Sequence, residues 1–143
     1  LTRAAPRERE VYRWWHRVGF RWGDNDAYGH VNNAIHYQWF DSAVNQWLID
    51  TGLLDIENGD PIGLVVETGC RYFASLTYPG EAEVGIRVDR IGSSSVTYHI
   101  GIFPPDSKGA AAEGHFTHVY VGRRDRRPVA IPEEWRGKLA ELA

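Results

Sequence analysis

Between Asp24 and Tyr37 the chain reads Asp-Asn-Asp-Ala-Tyr-Gly-His-Val-Asn-Asn-Ala-Ile-His-Tyr, which packs carboxylates, imidazoles and amides into one short segment. Such a set suits acid–base or nucleophilic chemistry at a carbonyl. A carboxylate can take a proton from water or attack directly, while imidazole and amide donors steady the oxygen that becomes negative. Just upstream, Tyr12 to Trp22 alternates apolar and polar residues, and just downstream apolar residues recur at helical spacing, so the segment is a turn between a strand and a helix. The first N–H groups of a helix have no intrahelical acceptor and carry partial positive charge. If Gly29 turns the chain tightly, Asp26 lies beside the amides of Asn32 and Asn33, where a reacting carbonyl oxygen would be held, and His30 and Asn32 add donors. Asp24 and Asp26 would serve equally as turn residues whose oxygens hold local backbone N–H groups.

Other chemistries find less support. Asp24, Asp26 and Gly29 match the first, third and sixth positions of an EF-hand loop, but Tyr28 and Ile35 stand where further ligands belong, and the preceding run reads as strand. A transition-metal set of Asp24, Asp26, His30 and His36 lacks a known ligand spacing. Cys70, the single cysteine, lies among strand residues and reads as a small core side chain. His16, His99, His115 and His118 sit on strands without recognisable partner spacing. No Gly-x-Ser-x-Gly elbow, P-loop, dinucleotide fingerprint or Cys-x-x-Cys pair is present, which removes support for serine hydrolase, NTPase and dehydrogenase readings. Arg123, Arg124, Arg126 and Arg127 form a basic cluster that suits either a solvated turn or the phosphates of a nucleotide-bearing ligand.

The elements that position these residues follow from periodicity. In the first strand Tyr12, Trp14, His16, Val18, Phe20 and Trp22 share one face, and Arg13, Arg17 and Arg21 the other. A helix runs from Asn33 to about Asp50, with Asn32 as N-cap, Gly52 as stop signal, and an apolar stripe of Ile35, Trp39, Phe40, Ala43, Val44, Trp47 and Leu48. Four further strands follow at about Ile62 to Ala74, Glu81 to Ile91, Ser94 to Phe103 and Ala111 to Arg123. A short helix from about Pro132 to Leu142 closes the chain. One apolar helix and one antiparallel sheet bury their dry faces only against each other, giving an α+β architecture in which a curved five-stranded sheet wraps a helix. Part of that sheet is then left for a second subunit.

The 143 residues make one domain, taken as residues 11–143 behind an N-terminal tail of residues 1–10 that carries no argument. A net charge of −3 gives no general field for nucleic acid, and no run is long and apolar enough to span a membrane. One cysteine and no apolar leader point to the cytoplasm, with a small molecule or another subunit as partner.

The string Asp-x-Asp-x-x-Gly-His-Val-Asn-Asn at Asp24 to Asn33, running into a helix that contains Tyr37 and Trp39, resembles the acyl-CoA and acyl-ACP thioesterases of the hotdog-fold superfamily. The Arg71-Tyr72 to Tyr78-Pro79-Gly80 segment and the Arg-Pro-Val-x-Ile-Pro ending at Arg127 to Pro132 resemble the same group. The resemblance implies a hotdog fold, a homodimer or dimer of dimers with active sites at the subunit interface, and hydrolysis of acyl-CoA or acyl carrier protein thioesters. No cofactor is implied beyond coenzyme A within the substrate. By analogy with 4-hydroxybenzoyl-CoA thioesterases, Asp26 matches the catalytic carboxylate and the Asn33 amide the oxyanion site. His30 is a third site candidate, with an open role between polarising the thioester and organising the turn. Tyr28, Asn32, Tyr37, Thr68, Arg71, Tyr72, Arg123 and Arg124 are the expected substrate contacts. Plant acyl-ACP thioesterases carry Asn where this chain has Tyr28, so that amide's role does not transfer. A hotdog hydratase or dehydratase, and a non-catalytic acyl-CoA-binding module, are the alternatives on the same fold.

Overall fold

In the computed structural model, which describes residues 5–143, five antiparallel strands and two helices follow the order β1 (Trp14–Gly19), α1 (Asn33–Asp50), β2 (Ile62–Tyr72), β3 (Glu81–Ile91), β4 (Ser95–Phe103), β5 (Ala112–Val121) and α2 (Glu133–Ala140). The strands lie side by side in the order β1-β3-β4-β5-β2, so β1 and β2 are the edges. This is the α+β hotdog arrangement, a curved sheet around one long helix.

α1 begins where the side chain of Asn32 accepts the Ala34 N–H, and ends at Thr51 before Gly52, whose φ is +78°. Its stripe of Trp39, Phe40, Ala43, Val44, Trp47 and Leu48 packs on Ala82, Val84, Ile86 and Val88 of β3 and on Val96, Tyr98, Ile100 and Ile102 of β4. Over β5 the Phe40 ring lies against Gly114, where a Cβ would meet that ring and the Gly69 carbonyl. The short α2 adds Leu139 to the same core and the turn after it adds Leu142, with Pro132 just outside the helix as its N-cap residue.

The first strand is shorter than its alternating sequence. Tyr12 lies on the outer face of the sheet against Phe103 and His99, not on the face of Trp14 and Val18. Trp22, 83% exposed, sits in a 3-10 turn, Trp22–Asp24, edge-on to Tyr78. The strand ends because the chain must bend there to reach α1: the Phe20 N–H still bonds Gly80, but the next residues turn over the sheet's end.

The expected tail is docked where it is described. Arg7 forks onto Asp89, its N–H donates to Glu113, and Arg9 pairs with Glu83 and lies over the Trp15 and Phe103 rings. These contacts cover part of the outer face of β3 and β4, which explains why Phe103 and His99 are buried on a face that alternation alone would leave wet. Residues 1–4 of the tail lie outside the described residues. No described helix is long and apolar enough to cross a membrane.

Candidate functional site

The segment that enters α1 is a closed turn. The Asp26 N–H donates to the His30 carbonyl, and the Gly29 N–H returns to the Asp26 carbonyl, with Gly29 at φ +79°, a region disfavoured for residues bearing a Cβ. The turn is stapled to the chain after β2: the Val31 N–H donates to Leu76, and the Asn25 side chain accepts the Tyr78 N–H. Asp24, 1% exposed, is fully engaged, one oxygen taking the Arg21 N–H at 2.7 Å and the other its guanidinium at 2.9 and 3.0 Å. It is the residue that closes the 3-10 turn. Asp26 is half-buried, and its Oδ1 accepts the Tyr28 N–H at 2.9 Å.

At the start of α1 the backbone donors are used one by one, except at one position. The Asn32 N–H donates to Asp24, the Ala34 N–H to the Asn32 side chain and the Ile35 N–H to the Asn32 carbonyl. The Asn33 N–H meets no acceptor among the described residues. Asn33 lines a cavity of about 260 Å³ together with His30, Val31, His36, Tyr72 and Leu76, among others. A helix start with one unclaimed N–H facing a cavity is an anion-binding element.

The walls of this cavity come from both sides of the fold. Tyr72, at the last position of β2, donates its hydroxyl to the Asn33 carbonyl at 2.7 Å. His36, 3% exposed, places Nδ1 at 3.3 Å from the Asn32 carbonyl and packs edge-on to Tyr72. Burial keeps the His36 imidazolium below the usual histidine range, opposed by the carbonyls of Asn32 and Asn33. Burial, with the neighbouring Cys70 behind it, raises Tyr72 well above an ordinary phenol, so its proton is retained as a donor. The Cys70 thiol is pushed up to about 11, also by burial, and is protonated at neutral pH, in keeping with a packing role. His30 is exposed, with Nδ1 at 3.2 Å from the Thr77 hydroxyl.

The structure thus brings His30, Asn33 and Tyr72 together at one cavity and distributes the other candidates. Asp26 lies in the turn that leads to this cavity and is not among its lining residues. Tyr28, 87% exposed, projects from the turn. Asn32 caps the helix, and Tyr37 packs edge-on to Phe40. Thr68 donates its hydroxyl to the His115 carbonyl, and Arg71 is exposed on β2 opposite Glu113. Arg123 grips the loop before β2, its guanidinium on the carbonyls of Gly59 and Ile56 and its N–H on Asp60. Arg124 is exposed beside a second, larger surface cavity of about 680 Å³ that also carries Arg126, Asp55, Glu57 and Asp60. Ile62 pairs with Val121 and Tyr72 with Ala112, so within the chain the basic cluster and the first cavity stand at opposite ends of β2, roughly 33 Å apart at the usual rise per residue.

His36 is the cavity residue that motif reading passes over except as a discarded metal ligand. Its signal was available: it stands three residues after Asn33, on the same face of the helix. Among the described residues no group of three or more His, Cys, Asp or Glu is placed to hold a metal ion.

Comparison with known proteins agrees with this architecture. The thioesterase-like superfamily model matches residues 20–139. The PA5185 protein of Pseudomonas aeruginosa is 50% identical, with a TM-score of 0.91 and coverage of 94% of both chains. Slr0204, a 1,4-dihydroxy-2-naphthoyl-CoA thioesterase from Synechocystis, shares the fold at 19% identity, with a TM-score of 0.80 over 90% of this chain and 96% of that one. Over 88 residues the chain is 23% identical to the uncharacterized protein YsmA of Bacillus subtilis, a match spanning 62% of this chain and 59% of YsmA. A family match over most of the length, on a hotdog sheet with a donor-bearing helix start, establishes that this chain belongs to the thioesterase-like superfamily.

Proposed function

We propose that the protein hydrolyses acyl thioesters of coenzyme A or of an acyl carrier protein. The observation that carries the reading is the Asn33 N–H, which meets no acceptor among the described residues, on a residue that lines a cavity with aromatic and imidazole walls. A thioester carbonyl gains negative charge on its oxygen when attacked, and a fixed N–H at a helix start stabilises that charge by about 3 kcal/mol. Asp26 supplies the carboxylate, with Oδ1 tied to the Tyr28 N–H and Oδ2 without a donor among the described residues. As a general base it takes a proton from water while the water oxygen bonds to the carbonyl carbon; collapse breaks the C–S bond, and the proton passes to the departing sulfur. As a nucleophile it forms a mixed anhydride that water then opens. Where water opens the anhydride at the Asp26 carbonyl, a single turnover in ¹⁸O-water leaves label in the Asp26 carboxylate, which the general-base route never does.

The functional unit in this reading is a homodimer. β2 is an edge strand with Val65 and Val66, 46% and 59% exposed, next to a register shift. Antiparallel pairing of two β2 edges would set the Ile62 end of one protomer beside the Tyr72 end of the other, bringing Arg124 of one to the cavity of its partner. Arg124 would then meet the phosphates of coenzyme A, which arginine recognises through forked hydrogen bonds. The deciding experiment is a thiol-release assay over a panel of acyl-CoA and acyl-pantetheine thioesters. Release of thiol from at least one of them is expected; a folded protein that releases none would reject the activity.

A further inference from the structure

The Asn33 N–H is useful only if it is aimed. It belongs to the same planar peptide as the Asn32 carbonyl, and in a trans peptide the two point in opposite directions, so whatever holds the carbonyl also sets the direction of the N–H. Besides the ladder bond that opens the helix at its N-cap carbonyl, two groups approach it: the Ile35 N–H at 2.9 Å and Nδ1 of His36 at 3.3 Å. A carbonyl oxygen can only accept, so Nδ1 must carry a proton, and in the neutral ring the lone pair lies on Nε2. The ring is held in turn by Tyr72, edge-on with centroids 4.9 Å apart, and by Trp39 at 5.3 Å. Tyr72 also fixes the following peptide through the Asn33 carbonyl.

We propose that His36, as its Nδ1–H tautomer, is the positioning residue that orients the Asn32–Asn33 peptide and thereby aims the Asn33 N–H into the cavity. The assignment rests on the thioester-hydrolysis reading above. Donation into the carbonyl acts twice. It fixes the plane, and it polarises the amide, which makes the opposite N–H a stronger donor. The effect on chemistry should fall on the transition state, where the oxyanion exists, and not on substrate binding.

Two measurements test this. In ¹⁵N NMR of the whole protein at neutral pH, His36 should show a protonated Nδ1 and an unprotonated Nε2; the opposite tautomer would overturn the proposal whether or not the protein is active. In kinetics, His36→Phe keeps a ring against Tyr72 and Trp39 but removes the donor, so kcat should fall about tenfold with KM within about twofold and melting little changed, a smaller effect than removing an oxyanion donor outright. His36→Asn places an amide N–H where Nδ1 stood and should recover most of the lost kcat. Unchanged turnover in His36→Phe, or no recovery in His36→Asn with a normal melting profile, would sink the idea. Failure of the parent reading is distinct: it appears as a wild-type protein that hydrolyses no thioester in the panel, whatever its His36 tautomer, and it removes the positioning role with it.

Discussion

Asp24 and Asp26 are chemically identical and two residues apart, yet their surroundings differ. Asp24 is buried with both oxygens engaged by Arg21, whereas Oδ2 of Asp26, at the turn that leads to Asn33, meets no donor among the described residues. Asp26→Asn should lower turnover at least about a hundredfold while leaving melting nearly unchanged, as expected when a general base is lost. Asp24→Asn should show the converse, a stability loss on the order of 1–3 kcal/mol from weakened buried charge-assisted bonds with a smaller effect on turnover. Paired assays of turnover and chemical denaturation read both variants, and a larger loss of turnover in Asp24→Asn would exchange the two assignments.

A third residue makes stability depend on pH. His118 is buried between Tyr98, Phe116 and Tyr120, and burial lowers its pKa to about 4. Unfolding restores the ordinary value near 6.5, so between about pH 6.5 and 4 the unfolded chain binds a proton that the folded one does not. Stability is therefore fully present above about pH 6.5 and declines as the pH falls toward 4, by about 3 kcal/mol from this group. Urea denaturation across that range should show the decline, and His118→Gln should reduce it regardless of its own effect at pH 7. An unchanged slope in that variant would assign the pH dependence elsewhere.

At the scale of elements, α1 was legible from Asn32 to Gly52 because cap, stripe and stop are all local signals. β3 was equally legible, since Ala82, Val84, Ile86 and Val88 alternate with polar neighbours and do face the core. The first strand misled at both ends. Alternation states which residues share a face only while the chain stays extended, and Tyr12 and Trp22 lie where it bends away. The packing of α1 on the sheet also depends on a residue without a side chain. A methyl group at Gly114 would collide with the Gly69 carbonyl, which is backbone, and with Phe40. Gly114→Ala should therefore cost about 2 kcal/mol or more in denaturation experiments, an overpacking penalty. A neutral substitution would mean that α1 can lift off β5 without loss.

For the whole molecule, sedimentation at micromolar concentration should show a dimer with no stable monomer. Val66→Glu, which puts a charge on the exposed β2 edge, should shift the protein toward monomer and reduce thioesterase turnover with it. A monomeric wild type with full activity would contradict a shared site. The two arginines at the far end of β5 make separate predictions. Because Arg123 holds the loop at Gly59 and Ile56, its loss should disturb folding as well as binding, so Arg124→Ala is the cleaner probe. It should raise KM for acyl-CoA several-fold, while an acyl-pantetheine thioester, which lacks the nucleotide, is little affected. Equal effects on both substrates would point to a pocket defect, and no effect on either would leave Arg124 as surface.

What the sequence determined by itself is what depends on near neighbours: the helix limits, the strand alternation and the Asp-x-Asp-x-x-Gly-His-Val-Asn-Asn turn that carries the family likeness. Those signals act over a few residues through hydrogen-bond geometry and the placement of side chains on one face. The tertiary structure alone decided which candidates meet. Tyr72 reaches Asn33 across 39 positions of sequence, and Arg7 reaches Glu113 across 106. It also decided that His36 lines the cavity and that Arg123 belongs to a loop, since residue type and spacing cannot encode which distant atom will fill a side chain's hydrogen-bonding capacity. That is settled when strands from both ends of the chain close into one sheet around α1, and burial then fixes the partner of each polar group.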